Sequence, residues 1–287
     1  MVMEEEDEIA GEEAYILIAK LDNARNLSNL LKAIHFKDVA TVYLSGNGLK
    51  VTVEESKYLQ ASAFVQASLF QEYTFTEETA TFRINLTVLL ECLHIFGSSK
   101  DNSSVTALKM CYGGHGHPLK MLLVDDSGVL TDCSVKTQES EDLVDLNFSG
   151  EDVMNKIIMK SASLRDAFQE LDMSSEVIQI LMSPDAPFFR ITTFGYGGTS
   201  HVDYTKDSEV IETFECQSTQ SNRYKTTLLK PSTKALTASS KVSIRMDFRG
   251  FLSMQYMIVN EDQQICFVEY MCSPDEELNE PTVDEFT

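Results

Sequence analysis

One pattern, a strand and a helix followed by three strands, recurs four times along this chain and leaves few folds open to it. Its clearest copy is residues 223–274, RYKTTLLKPSTKALTASSKVSIRMDFRGFLSMQYMIVNEDQQICFVEYMCSP. A strand at 223–227 leads into a helix at 228–239, and strands at 241–247, 251–260 and 264–271 follow. Val242, Ile244 and Met246, and again Cys266, Val268 and Tyr270, alternate with the period of a half-buried strand. Tight polar turns, Asp247-Phe248-Arg249-Gly250 and Asn260-Glu261-Asp262-Gln263, separate the strands. The helix is two-faced. Leu229 and Leu236 lie on one side, Lys230, Thr233, Lys234 and Thr237 fill the other, and Pro231 suits a first turn where a missing N–H costs nothing.

The earlier copies keep this order. In the first, a strand at 14–21 precedes a helix capped by Asp22 or Asn23, whose Leu27, Leu30, Leu31 and Ile34 fall at i, i+3, i+4 and i+7. Arg25, Ser28, Asn29 and Lys32 occupy its opposite face. Strands at 39–45, 49–54 and 58 to about 70 complete the unit, the first two joined by the hairpin signal Gly46-Asn47-Gly48. The second unit has a strand at 80–85 and a helix burying Leu86, Leu89, Leu90, Leu93 and Phe96, with Gly97 as its stop. Its strands are 105–112, 119–124 and 129–136. The third has a strand at 153–159, a helix with Leu164, Ala167, Phe168 and Leu171 inside and Arg165 and Gln169 outside, and strands at 176–182, 188–194 and 200–204. NLSNLLKAI (residues 26–34) lines up without gaps on SLRDAFQEL (residues 163–171), pairing Leu27 with Leu164, Leu31 with Phe168 and Ile34 with Leu171. Two units make a domain and two domains make the chain. Each helix covers only one face of its strands, so an α+β layering with helices on one side and sheets on the other is expected. The domains are then 14–136 and 153–274, joined by an interdomain linker at 137–152 in which Leu143, Val144, Leu146 and Phe148 sit among acids.

Charge narrows the function. The net charge of −22 is unevenly spread: residues 1–13 hold seven acids and no base, and residues 275–287 hold six acids and no base, leaving −9 for residues 14–274. Both ends read as solvated, disordered acidic tails. An acidic protein binds nucleic acid only if its bases gather on one face. No apolar run approaches the ~18 residues of a membrane span, and the acidic N-terminus is no signal peptide. Cys92, Cys111, Cys133, Cys216, Cys266 and Cys272 show no paired CxxC spacing and read as reduced core thiols of the cytosol or nucleus. The loop Gly113-Gly114-His115-Gly116-His117-Pro118 offers two possible metal ligands but no third or fourth at a usual spacing, so it reads as a hairpin loop. Gly195-Tyr196-Gly197-Gly198 opens no helix and lacks the dipole of a phosphate cradle. No metal and no cofactor are expected.

LDNARNLSNLLKAIHF (21–36), KVTVEESKYLQASAFVQASLFQEY (50–73), TFRINLTVLLECLHIFGSS (81–99), LDMSSEVIQILMSPDAPFFR (171–190) and NRYKTTLLKPSTKAL (222–236) carry a resemblance to a known family. The chain resembles the sliding clamp family of proliferating cell nuclear antigen, and most closely its Rad-one branch, a subunit of the nine-one-one DNA-damage checkpoint clamp. The resemblance covers everything but the two tails. It implies the sliding clamp fold and a nuclear, non-catalytic subunit of a heterotrimeric ring that encircles double-stranded DNA. The implied partners are two other clamp-like subunits (of Rad-nine and Hus type), a checkpoint clamp loader and repair enzymes.

In such rings helices line the hole and sheets form the outer wall, which resolves the charge problem. The implied DNA-contacting residues are Arg25, Lys32, Arg165, Lys230 and Lys234 on the helices, with Lys160 and Lys225 at the strand ends before them. Helix two departs from this pattern, showing Thr87, Glu91 and His94. By position, the implied subunit edges are Val129, Thr131, Cys133 and Val135 on one strand and Ser200, Val202 and Tyr204 on another. The linker residues Leu143, Val144, Leu146 and Phe148 would border a groove for partner peptides, or simply pin the linker to its own sheet. Two other readings compete. One is a 3′→5′ exonuclease, disfavoured because acids concentrate in tails, turns and linker and no nuclease motif is found. The other is a homotrimeric replication clamp.

Overall fold

The computed structural model of the protein describes residues 15–95, 105–141, 143, 146, 148 and 152–275. Val144, Phe96, Gly97 and the acidic runs 1–13 and 276–287 lie outside the described residues. In the first half of the chain the elements are β1 (Leu17–Leu21), α1 (Ala24–Ile34), β2 (Val39–Ser45), β3 (Gly48–Glu55), β4 (Leu59–Gln66), β5 (Glu72–Phe75), β6 (Thr79–Asn85), α2 (Leu86–Leu93), β7 (Thr106–Tyr112), β8 (Leu119–Asp125) and β9 (Leu130–Val135). A two-residue strand, β10 (Thr137–Gln138), follows. The second half repeats the order with β11 (Val153–Lys160), α3 (Ser161–Glu170), β12 (Val177–Met182), β13 (Phe189–Gly195), β14 (Gly198–Tyr204), β15 (Ile211–Cys216) and β16 (Gln220–Lys225). A helical stretch of three pieces comes next, α4 (Thr226–Leu229), a 3-10 turn (Lys230–Ser232) and α5 (Thr233–Ala238), then β17 (Lys241–Asp247), β18 (Leu252–Val259) and β19 (Ile265–Cys272).

The chain divides into two compact units. One comprises residues 1–31, 38–51 and 64–141, the other residues 32–37, 52–63 and 142–287. In the first unit an antiparallel sheet runs β5-β1-β7-β8-β9, with Leu17 opposite Tyr112 and Leu21 opposite Leu108. Alternate residues of β1 and β8 are buried, as are Leu27, Leu30 and Leu31 of α1 and Leu86, Leu89, Leu90 and Leu93 of α2. Asn85 caps α2 by accepting the N–H of Val88 at 2.9 Å. Gly48 is fixed by geometry: its φ is +128°, and a Cβ there would lie 2.2 Å from the Val65 carbonyl oxygen.

The second unit holds the matching sheet, β15-β11-β17-β18-β19, strand for strand, and a second sheet ordered β14-β13-β12-β16. Residues 59–63 of β4 lie beside β19 in this unit. Its core includes three fully buried tyrosines, Tyr224, Tyr256 and Tyr270. Two of their hydroxyls stay satisfied by donating to backbone, Tyr224 to Gly250 O at 2.6 Å and Tyr270 to Ala33 O at 2.7 Å. Burial pushes all three phenols well above the ordinary tyrosine range, so they remain neutral donors.

Three expectations need correction. The order of one strand, one helix and three strands omits a fourth strand in the first and third units, β5 and β15, each pairing with the first strand of its own unit. Both are short edge strands without one buried residue, so they carry no core-face signal. The strand expected from 58 to about 70 ends at Gln66, and a 3-10 turn covers Ala67–Leu69. The continuous helix expected at 228–239 is broken by the 3-10 turn containing Pro231, whose ring and missing N–H interrupt the i→i−4 ladder.

Candidate nucleic-acid interface

The helices position the expected bases unequally. On α1, Arg25 is half-buried and its backbone N–H donates to the Asn23 side chain at 3.0 Å, the cap that starts the helix. Lys32 is exposed in the last turn. Ser28, expected on the outward face, is instead buried, with Oγ 3.3 Å from Nε2 of His94, the residue expected to be exposed on α2. The polar face of α1 is thus narrower than its hydroxyls suggest.

In the second unit α3 and α5 pack against each other. Ser161 Oγ lies 2.7 Å from Ser239 Oγ, and the Ser161 N–H donates to Ser240 O at 3.0 Å, so the start of α3 meets the end of α5. Arg165 lies four residues after Ser161 and Lys234 five before Ser239, each about one turn from that meeting point. Lys160, exposed, occupies the N-cap position of α3. Lys234 also donates through Nζ to the carbonyl of His35, just past the end of α1. Lys160 and Arg165 thus belong to the first turns of α3, Lys234 to the α5 helix packed on it, and Lys32 to the helix whose end Lys234 reaches, with Lys230 and Lys225 further back along the α4–α5 stretch. Asp166 and Glu170 lie near Tyr204, whose phenol is pushed up to about 12, by burial first and then by these two carboxylates, and which donates to Ser163 O at 2.8 Å.

Lys225 is engaged as well as Lys234. Its Nζ lies 3.3 Å from Oδ2 of Asp275, a carboxylate 8% exposed. Asp275, expected to begin an acidic tail, instead folds back: its N–H donates to Arg223 O at 2.9 Å and its side chain holds Lys225. Nothing in a run of six acids marks its first member as the one that does so. Helix α2 carries no base: Val88 and Glu91 are exposed and Thr87 donates to Asp38 Oδ1 at 2.7 Å.

The expected edges are terminal strands. β9 ends one sheet and β14 ends another. Thr131 and Cys133 are half-buried on β9 and Val135 is buried; Val129 precedes the strand and closes its turn by donating to Asp125 Oδ1 at 2.8 Å. On β14, Ser200 is exposed and Val202 and Tyr204 are half-buried. Arg190 clamps β14 to β13 through Nε to Asp203 Oδ1 at 2.6 Å and a second nitrogen to Oδ2 at 2.8 Å. This fork holds the Asp203 carboxyl below its usual range.

Of the linker residues, Leu146 is buried, Leu143 is exposed, and the Phe148 ring lies 5.3 Å from the Arg245 guanidinium. Arg245 also lines an open groove of about 590 Å³ on the sheet of the second unit, with Ile158, Met257 and Phe267 among its apolar walls. No disulfide joins any of the six cysteines, all of them described residues, and burial, then the neighbouring Cys133 thiol, pushes Cys92 up to about 11. His115 of the glycine-rich loop lies 3.5 Å from Glu139. Among the described residues no three His, Cys, Asp or Glu side chains converge as a metal-holding group.

Among the described residues, β1 to β9 with two helices are repeated in order by β11 to β19 with two helical segments, an α+β sliding clamp fold. Residues 16–258 match the family described as Repair protein Rad1/Rec1/Rad17. The chain is 61% identical over 269 residues to the human cell cycle checkpoint protein RAD1, covering 94% of this chain and 95% of that protein. It is 32% identical over 270 residues to the DNA damage checkpoint control protein rad1 of Schizosaccharomyces pombe, covering 87% and 84%. A more distant relative, the DNA repair exonuclease REC1 of Mycosarcoma maydis, is 27% identical over 224 residues, covering 60% of this chain and 48% of that protein. The chain belongs to this Rad1 family of DNA-damage checkpoint and repair proteins.

Proposed function

We propose that the protein is a non-catalytic subunit of a heterotrimeric clamp that encircles duplex DNA in the nucleus. Two other clamp-like subunits complete the ring, a dedicated loader places it, and repair and checkpoint enzymes dock on it. Residues 14–136 and 153–274 serve as its two clamp domains. One observation carries this reading. β4 and β14 are equivalent strands of the two halves, as are β9 and β19. β4 lies beside β19, whereas β9 and β14 end their sheets. A chain that makes this join once and leaves both equivalent strands open carries a donor and an acceptor for the same join with neighbours. Head-to-tail interfaces of that kind close into rings.

Within such a ring the helix bases meet phosphates. Phosphate contacts need only point charges and carry no sequence information, which suits a sliding protein. Reversing Arg25 and Lys32 together to glutamate is expected to weaken DNA retention equally on unrelated sequences while assembly persists. Removing one base–phosphate pairing should lower the salt slope by about 0.9. The same reversal at Lys109 and Lys136, on and beside sheet strands, should matter far less. Equal losses from both pairs would mean that only the net field acts, and the helix-face assignment would fall.

The name of the Mycosarcoma maydis relative keeps a nuclease as the second reading. Metal-dependent nuclease activity that follows the purified chain and disappears on mutating one carboxylate cluster would establish it.

A further inference from the structure

Two thiols of the first unit, Cys92 and Cys133, have no part in the clamp reading, and the fold brings them together. Cys133 lies on β9 opposite Met121 of β8. Residues directly opposite in an antiparallel pair project to the same face. Met121 is fully buried, so Cys133 projects onto the covered face of its sheet although β9 is a terminal strand. Helix α2 packs against β9, with Cα atoms of the two elements within 8 Å of each other. Cys92 stands in the last turn of α2, three residues after the buried Leu89 and beside the buried Leu93. The thiols of Cys92 and Cys133 meet between helix and strand in a hydrogen bond, and both residues are half-buried. The other cysteines are placed differently. Cys111, Cys266 and Cys272 are buried, and Cys216 donates to Ser218 O at 3.4 Å.

We propose that Cys92 and Cys133 form an oxidation site, which hydrogen peroxide converts to a disulfide that pins the edge strand β9 to α2. The Cys133 sulfur attacks one peroxide oxygen; the O–O bond breaks, an S–O bond forms, and one water leaves behind a sulfenic acid. The Cys92 sulfur then attacks the Cys133 sulfur. The S–S bond forms, the S–O bond breaks, and the hydroxyl departs with the Cys92 proton as a second water. The two sulfurs together give up two electrons and the peroxide takes them. The order of attack follows from the surroundings. Burial, then the Cys133 thiol and the charge of Glu91, keep Cys92 protonated, and the thiolate is the form that attacks peroxide. In a reducing compartment such a bond is transient, made under oxidant and removed by thiols. Its effect is mechanical. Among the described residues β9 has one strand neighbour, and Val135 is its one buried residue, so the strand is free to fray until the covalent link holds it. The inference needs nothing from the ring reading, although under that reading β9 is a strand offered to a neighbouring subunit.

The test treats the full, reduced chain with hydrogen peroxide, alkylates it in denaturant and digests it without reductant. Peptide mass spectrometry should find Cys92 linked to Cys133, two hydrogens lighter than the separate peptides, with the other cysteines alkylated. Dithiothreitol should reverse the link. In Cys92→Ser the sulfenic acid has no thiol to resolve it, and dimedone should label Cys133. Hydrogen exchange at the β9 amides should slow about tenfold in the oxidised chain. Links between other cysteines, or no link under peroxide that oxidises the unfolded chain, would overturn the site. Dimedone on Cys92 in Cys133→Ser, at the rate seen for Cys133, would overturn the order of attack. A link that leaves β9 exchange unchanged would overturn the pinning. The unsubstituted chain decides the site by itself, so a variant that fails to fold does not protect the proposal.

Discussion

β4 and β14 hold the same place in the repeat, yet they live in different surroundings. Every residue of β4 from Leu59 to Ala63 is buried, whereas no residue of β14 is. The same contrast separates β19, where alternate residues Cys266, Val268, Tyr270 and Cys272 are buried, from β9, where Val135 alone is. Among the described residues, the buried member of each pair has a neighbouring strand on both flanks and the exposed member has one. Burial at these positions thus tracks whether a partner strand is present more than it tracks the intrinsic character of the unit. Under the ring reading, β9 and β14 are the same kind of strand awaiting partners from other chains. Their mixed polarity is then the solution of a surface that must stay soluble alone and still pair.

Breaking the contrast should produce effects of very different size. Ala61→Pro, in a strand flanked on both sides and with 0% exposure, removes a ladder donor and forces the proline ring into packed surroundings. A loss of about 3 kcal/mol or more in urea denaturation is expected. Val202→Pro on β14 should cost the isolated chain about 1 kcal/mol or less, yet raise the concentration needed for assembly about tenfold or more, read by analytical ultracentrifugation. Val135 is the less clean partner test, since it is buried and its replacement also costs packing. Asp203→Asn is the smallest change. The Arg190–Asp203 pair is more than a third exposed, so its removal should lower stability by well under 1 kcal/mol at neutral pH. Because the folded carboxyl titrates below its unfolded counterpart, its contribution is present above the ordinary carboxylate range and is lost as pH falls through the folded value. Thermal melts of the variant and the parent should therefore converge in acid.

The repeat is legible because burial writes it into the sequence. Leu27, Leu31 and Ile34 recur as Leu164, Phe168 and Leu171, and all six are buried. The same offset relates Ala24 and Ser161, the first residues of α1 and α3. β5 and β15 are illegible because a short edge strand holds its place by backbone bonds, which leave no apolar alternation. Ser28 escapes a periodicity argument because a small hydroxyl can be buried when it has a partner, here the half-buried His94, and periodicity counts only apolar residues. For the candidate site, the bases can be read from the polar faces of the helices. Their placement on elements packed together cannot, since it depends on how the start of α3 meets the end of α5. Nor can the hold of Asp275 on Lys225, a pairing between residues separated by three strands.

The claim that this chain closes a ring around DNA is tested most directly by topology. The assembled clamp, loaded on closed circular duplex DNA, should survive a wash at high salt and leave when one restriction cut linearises the circle. Retention would then depend on the integrity of the ring, with the phosphate interactions already screened. Loss from closed circles and linear molecules alike in high salt would contradict encirclement, and with it the reading of β9 and β14 as the strands that close the ring.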